Sequence, residues 1–533
     1  MPIDGDKGHP HAARLLRLNI DASALEKTTI RLATDDGLAE GAFSISASGN
    51  EIVIRGGPFS GVIYGAQELA ARAGRGLDLS AFEAGPISDE PGLAYRTFWT
   101  WDHSTNWELS QIGQQEIGVF NPYQKPPGGF LADYKRLVDF CSANRIAGVV
   151  IYGFLRDSHG GVAAAQELCL YARERGVRII PGVAIGAYGG VYWEGDHRYN
   201  LNTWLKQNPQ HKAQFSRDIG FQLADLDFPL NFPHSDYTVT ACPSSPEVMD
   251  WMEEAVAWMA ETFDIGGVNI ESGDYGVCDC PRCTARRAND AEAARRAKEF
   301  GDSWSHTDMA ANFPRLYRAA KAVKPDLWIY CEMQWDNLLE PVAANAQTSL
   351  PQGGIYQHTV NRSYWKRLRE GLPDGFVDKL PTQPNVLRCQ FACQWNGDAR
   401  TERYALNARD FLEMNNRGYR MGMKGLTVWG EPSDHYATAE ISYLAFARSG
   451  WSPELSWDEF VSRDVAPLFG DEASARRFIE LAEEIDANRD LSAARLATMM
   501  DEVAARVAGA QAGPRRRWLT LADSINRRQH MGR

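Results

Sequence analysis

Short apolar runs alternate with amphipathic stretches from residue 94 to about 433, and each run ends in a burst of polar and aromatic side chains. Eight runs stand out: Ala94–His103 (AYRTFWTWDH), Ile146–Asp157 (IAGVVIYGFLRD), Val177–Tyr188 (VRIIPGVAIGAY), Gly266–Asp274 (GGVNIESGD), Asp326–Asp336 (DLWIYCEMQWD), Gly353–Val360 (GGIYQHTV), Asn385–Asn396 (NVLRCQFACQWN) and Lys424–Glu431 (KGLTVWGE). Apolar strands separated by helices pair in parallel, and eight of them predict a closed (β/α)8 TIM barrel. The helical spacing predicts connecting helices over Leu131–Asn144, Gly161–Arg175, Glu247–Phe263, Met309–Val323 and Glu402–Asn416. The third is the clearest: Val248, Met249, Met252, Val256, Met259 and Phe263 share one face behind a Ser-Ser-Pro-Glu start. After the third strand comes a long excursion, Gly189–Cys242, with Tyr188, Tyr192, Trp193 and His197 at its root. Long connections in compact folds tend to be functional or disordered, and of the two a pocket wall is expected here.

The pattern changes on either side of this block. Leu15–Ile20, Thr28–Ala33, Phe43–Ala47 and Glu51–Arg55 read as short strands, and Ser60–Gly74 as a helix packing on them. A Pro- and acid-rich hinge, Pro86–Pro91, follows. The stretch Ser452–Arg533 is rich in Ala, Arg and Glu and reads as three or four amphipathic helices. The expected organisation is a small α/β domain over 1–88, the barrel over 89–450 and a helical C-terminal region over 451–533.

Composition narrows the function. The 533 residues are 44% apolar, enough for a large core. The formal charge of −13 is spread along the chain, which speaks against nucleic acid as a partner, and the basic knot Arg515–Arg517 reads as a solvated helix face. No run approaches eighteen apolar residues, so no membrane partner is expected, and the N-terminus has no secretory pattern. Nine cysteines are an odd number; Cys141, Cys169, Cys331, Cys389 and Cys393 read as buried, reduced thiols. A cytoplasmic location is therefore expected, although a secreted chain with its signal removed would read the same. The oligomeric state, including a homo-oligomer, is left open.

In a (β/α)8 barrel the chemistry sits where the strands end. The strand ends here carry Asp102, Asp157, Glu271, Asp274, Glu332, Asp336 and Glu431 among Trp, Tyr and His. Glycoside cleavage generally employs two carboxyl groups, one protonating the leaving oxygen and the other activating water or attacking the anomeric carbon. Glu271, Glu431 and Glu332 are the candidate catalytic carboxylates. Asp274, three residues from Glu271, is a neighbour whose charge would raise the pKa of Glu271. For each there is a structural alternative: a loop ion pair for Glu271, a turn cap for Glu431, a buried pair for Glu332. Candidate substrate contacts are Asp102, His103, Arg156, Trp335, His358, Trp395 and Trp429. Arg156 offers a bidentate fork to an acidic sugar and otherwise forms a surface ion pair. The histidines and tryptophans serve equally as packing.

Cys278-x-Cys280-x-x-Cys283 is spaced for a structural zinc if a fourth ligand arrives, from Cys242 or a loop His; three packed thiols, or one local disulfide with a spare, are the alternatives. No cofactor is expected for catalysis. Gly186–Gly190 lacks the spacing of a phosphate cradle.

Five stretches carry a resemblance. Ile52–Arg55, Gly61–Leu69 (GVIYGAQEL) and Ile87–Arg96 (ISDEPGLAYR) resemble the small α/β domain and hinge that precede the barrel in β-hexosaminidases, O-GlcNAcase-like enzymes and α-glucuronidases. Asn269–Cys283 (NIESGDYGVCDCPRC) and the tail from Trp451 resemble the α-glucuronidase-related hydrolases more than the hexosaminidases, whose fourth strand ends in an adjacent Asp-Glu pair where this chain has Glu271-Ser272-Gly273-Asp274. The resemblance implies a glycoside hydrolase with Glu271 as general acid and Glu431 or Glu332 as base or nucleophile. The implied reaction is exo-acting release of a terminal sugar from a carbohydrate, with a uronic or other acidic sugar favoured. Rival readings are a sialidase or N-acetylhexosaminidase on the same fold, and a non-catalytic carbohydrate-binding protein.

Overall fold

The computed structural model describes residues 3–82, 85–102, 128–187, 189–214, 240–271, 278–289, 306–337, 350–360, 362–371, 382–392, 405–430, 436–488 and 490–531. Five strands make a first sheet: β1 (Ile3–Asp4), β2 (Thr29–Thr34), β3 (Phe43–Ser48), β4 (Glu51–Gly56) and β5 (Ile87–Asp89), in the order β1-β2-β4-β3-β5. Alternation in β4 buries Ile52 and Ile54 beneath the helix Gly61–Ala73. One expectation fails here. Leu15–Ile20 is not a strand: it lies mostly within the helix Pro10–Asn19, with Pro10 in its first turn. The alternating Leu-Arg-Leu text is misleading because the burial follows Ala12, Ala13 and Leu16, a helical stripe, while Leu18 is exposed.

The second sheet closes on itself as a parallel barrel. Its strands are β6 (Tyr95–Trp101), β7 (Gly148–Tyr152), β8 (Arg178–Ala184), β9 (Gly267–Glu271), β10 (Trp328–Asn337), β11 (Gly354–Val360), β12 (Asn385–Ala392) and β13 (Gly425–Gly430), and β13 pairs with β6. Seven of the eight predicted apolar runs contain one of these strands, and the fifth, Asp326–Asp336, falls one residue short of the end of β10. Buried on both faces, they read as continuous hydrophobic text. Helices Gly129–Ala143, Gly161–Glu174, Pro246–Thr262, His306–Val323 and Ala408–Arg420 cover the outside. Trp99, Val150, Tyr152, Ile180, Tyr330, Ile355 and Val386 fill the inside. Among the described residues no helix is long and apolar enough to cross a membrane.

The small sheet docks at the end of the barrel where the strands begin. Arg178, the first residue of β8, forms a bidentate pair with Glu40 (both contacts 2.8 Å), and Arg145, just before β7, reaches Glu68 at 2.7 Å. Arg96, in the first barrel strand, is buried and donates to the carbonyls of Leu93, Ala94 and Arg145. Trp451, at the end of the helix Ala437–Trp451, joins the core of the first sheet, with Phe43 stacked at 6.2 Å and Tyr64 edge-on at 5.5 Å. The remaining chain packs as helices around Phe460, Phe478, Leu481, Met499 and Trp518.

Candidate active site

The opposite end of the barrel gathers the polar groups. Alternation points Asn269 and Glu271 of β9, Glu332 of β10, Gln357 and Thr359 of β11 and Arg388 of β12 into the barrel. Glu271 and Glu332 are register partners on adjacent strands, both buried. Glu332 is the hub. Its Oε2 accepts from Trp99 Nε1 at 2.7 Å and Asn269 Nδ2 at 2.6 Å, and its Oε1 pairs with Arg388 Nη1. Arg388 Nη2 donates to Thr359 Oγ1 at 2.9 Å, and Gln357 Nε2 donates to Asn269 Oδ1. Such a carboxylate is fixed in place by its partners: burial without them would be prohibitive.

Tyr152, at the end of β7, links the two glutamates. Its hydroxyl accepts from Asn269 Nδ2 at 2.8 Å, lies 3.4 Å from Glu332 Oε2 and is hydrogen-bonded to Glu271. Burial, then the charges of Glu271 and Glu332, push the phenol well above its usual range, so it stays protonated and can donate. Its ring stacks on Trp99 at 4.5 Å and lies over β8 where only a glycine fits: a Cβ on Gly182 would come within 2.4 Å of it.

A second ionic corner lies at the ends of β6 and β7. Arg156 Nε donates to Asp102 Oδ2 at 2.8 Å, its Nη1 is 3.6 Å from Glu194 Oε2, and its guanidinium lies 5.3 Å from the Trp193 ring centre. His159 Nε2 is 3.2 Å from the same Asp102 oxygen, and the His159 ring stacks on Phe130 at 4.2 Å. Gly153, at φ +79°, admits the Asp102 carboxylate, which would meet a Cβ there at 2.1 Å. The alternative of a surface ion pair for Arg156 is corrected: the pair is buried, with Arg156 3% and Asp102 1% exposed.

The predicted residues are distributed unevenly. Glu271, Glu332 and Trp429 meet at the barrel mouth; Trp429 is edge-on to Trp99 at 4.9 Å and carries Arg388 over its ring at 5.1 Å. Trp193, at the root of the excursion, packs on Trp101 at 5.8 Å and Tyr152 at 6.0 Å. His358 is not brought to the site. Its neighbours in β11, Gln357 and Thr359, face inward, so it points into the layer between strands and helices, where Nε2 meets Asn385 Oδ1 at 2.8 Å. Burial lowers its pKa to about 4, leaving a neutral ring. His197 likewise stacks on Tyr192 at 4.3 Å and Trp258 at 4.7 Å. Glu431, Asp274, His103 and Trp395, with Tyr188, lie outside the described residues, and the Trp335 and Asp336 side chains are not among those described.

Tyr152, Asn269 and Arg388 are not among the predicted residues. Asn269 had a signal, since it stands two residues before Glu271 and must share its face. Arg388 had one too: a charge inside an apolar strand, the same reason that singled out Glu332.

No family model matches the sequence, and no curated protein does. Among solved structures, the chain is similar to a GH138 enzyme targeting pectin rhamnogalacturonan II, with 12% identity over 96% of this chain and 80% of that one and a TM-score of 0.54. The β-N-acetylhexosaminidase from Bacteroides fragilis gives 15% identity, 85% and 83% coverage and a TM-score of 0.48. The GH20 β-N-acetylhexosaminidase from Streptomyces coelicolor gives 13%, 87% and 89%, and 0.47. At these identities the likeness is one of fold, and it rests on the first.

Proposed function

We propose that the chain is a glycoside hydrolase. The observation that carries this is the pairing of Glu271 and Glu332 in register on adjacent strands at the C-terminal end of a closed (β/α)8 barrel, joined through the Tyr152 hydroxyl and surrounded by Trp99, Trp101, Trp193 and Trp429. Two carboxylates in unlike environments divide the acid and ionised roles between them. Glu332, fixed by Arg388, Asn269 and Trp99, is placed to stabilise positive charge developing on the sugar. Glu271, whose hydrogen bond from Tyr152 orients it, delivers the proton to the leaving oxygen. The group that activates water or attacks the anomeric carbon is assigned to Glu431, with Asp274, three residues after Glu271 in the sequence, as its neighbour; both follow their strands within a few residues. Trp429, partly exposed, supplies an apolar face on which a sugar ring stacks, and Trp193, buried against Trp101, Tyr152 and Arg156, backs the wall of the site.

The substrate class is a terminal acidic sugar of a complex carbohydrate. The GH138 enzyme of similar fold targets pectin rhamnogalacturonan II, which supports this class. Arg156 is a weaker candidate for the substrate carboxylate than its position suggested, because its fork already serves Asp102 and Glu194. The test is a panel of pectic, glucuronic, sialic and N-acetylglucosaminide substrates, with Glu271→Gln alongside. Release of an acidic sugar by the wild type and its loss in the variant supports the assignment. Equal turnover by both removes Glu271 from the mechanism, and selective cleavage of N-acetylglucosaminides overturns the substrate class.

A further inference from the structure

We propose that Cys242, Cys278, Cys280 and Cys283 bind one zinc ion that ties together the two connections on either side of Glu271. The four sulfurs converge from separate parts of the chain. Cys242 closes the long excursion after β8, immediately before the helix Pro246–Thr262. Cys278 and Cys280 lie between β9 and the helix Pro281–Ala288; Cys280 caps that helix and Cys283 stands in its first turn. All four side chains are buried, and their sulfurs lie within 4.8 Å of one another.

The geometry suits a tetrahedral thiolate site. Four ligands at about 2.3 Å from zinc place sulfurs about 3.8 Å apart. Cys242 Sγ is 3.6 Å from Cys280 Sγ and 3.7 Å from Cys283 Sγ. These separations are far beyond the roughly 2.05 Å of a disulfide, and all four cysteines are free. Four converging thiols with no metal would form a buried cluster of weak donors with little to bind. Four thiolates around a divalent ion leave a charge of about −2, and the surroundings are built to receive it. The backbone N–H of Gln214 donates to Cys278 Sγ at 3.3 Å, Ser244 Oγ lies 3.0 Å from Cys283 Sγ, and Arg286 Nη2 approaches the same sulfur at 3.9 Å. Arg287 holds the Cys278 carbonyl at 2.8 Å and Asp279 at 2.9 Å, fixing the turn that presents the ligands. Outer-shell donors of this type orient metal ligands.

The position indicates the role. Cys278 follows Glu271 by seven residues, and Ala241 N–H, next to Cys242, bonds the Gly186 carbonyl beyond the end of β8. With no open coordination position, the ion is structural: it holds the far ends of the connections that flank Glu271. This inference does not depend on the proposed hydrolase activity.

The test is metal analysis of the purified full-length protein, with alkylation of its thiols before and after chelation. The expected result is close to one zinc per chain, four thiols protected until the chelator is added, and an intense visible spectrum of tetrahedral thiolate coordination when cobalt replaces zinc. Cys242→Ser and Cys280→Ser should each reduce bound zinc at least tenfold. Less than a tenth of an equivalent of metal in the wild type, iron instead of zinc, or disulfides among these cysteines in the intact mass overturns the proposal. So does full zinc in Cys242→Ser. The wild-type measurements decide the matter even if both variants fail to fold.

Discussion

The two ends of the barrel use the same chemical device, an arginine facing a carboxylate, to different ends. Where the strands begin, Arg178–Glu40 and Arg145–Glu68 join the barrel to the small sheet, and their carboxylates keep partial contact with solvent, Glu40 at 29% and Glu68 at 17% exposed. Where the strands end, Arg388–Glu332 and Arg156–Asp102 are 1–3% exposed on both sides and enclosed by tryptophans. The first kind fastens two layers. The second fixes charge in a low-dielectric pocket, where each group depends on its partner and a field is available to a bound molecule. A carboxylate at a strand end is thus not marked as reactive by position. Glu332, level with the last residue of β9, and Asp102, just past the end of β6, both face an arginine within the protein. Glu271, next in register to Glu332, is tied to Tyr152 instead, and it is the group to which the proposed function gives the proton.

The largest expected effect separates those roles. Glu271→Gln should lower kcat by about 10²–10⁴-fold while the urea midpoint stays close to wild type; a large loss of stability would mean that Glu271 is structural. Glu332→Ala should instead destabilise the fold by about 3–5 kcal/mol, because it strands the Arg388 charge, and the double change Glu332→Leu with Arg388→Met should recover much of that. Urea unfolding checks both; a silent Glu332→Ala would remove the network from the account. At the other end, Arg178→Met should cost about 1–3 kcal/mol and leave kcat within about twofold, since it is distant from the mouth; a change in kcat would couple the two ends.

The smallest effect is in pH dependence. Folded His358 takes up its proton only near pH 4, whereas an unfolded chain does so near 6.5. The unfolded state therefore binds the proton first. The neutral, buried ring contributes full stability above about pH 6.5, and this is lost progressively down to about pH 4, on the order of 3 kcal/mol in all. His358→Gln should remove that part of the acid-side slope, as measured by thermal unfolding between pH 7 and 4. An unchanged slope would show that the ring titrates normally.

The barrel was legible because its strands are apolar on both faces and their ends change abruptly to polar and aromatic residues. What the apolar text hides is direction. Val149 and Val150 look alike, and only pairing decides which one faces the lumen, so the text does not separate Tyr152 and Arg388, which face it, from His358, which faces the helices. The Leu15–Ile20 segment failed for a related reason: a short stretch of leucines fits period two and period 3.6 alike, and the neighbouring sheet selects between them. The Cys-x-Cys-x-x-Cys run was visible, but its meeting with Cys242 depends on how two connections fold back over the barrel. Spacing alone left that residue as one of two options.

Trp451 carries a consequence for how the chain can be divided. It sits on the final turn of a helix belonging to the barrel layer, yet its indole is part of the small sheet's core, donates to Asp89 at 2.8 Å and lies beneath the Arg145 guanidinium at 4.5 Å. A cut between β5, which occupies the stretch read as a hinge, and β6 would leave the sheet with an indole-sized hole and the barrel with an exposed tryptophan and an unmatched arginine. The three regions that composition distinguishes are thus not interchangeable modules. A recombinant or evolutionary exchange of the small domain has to carry its own complement to Trp451, and that restricts which partners can be fused in front of this barrel.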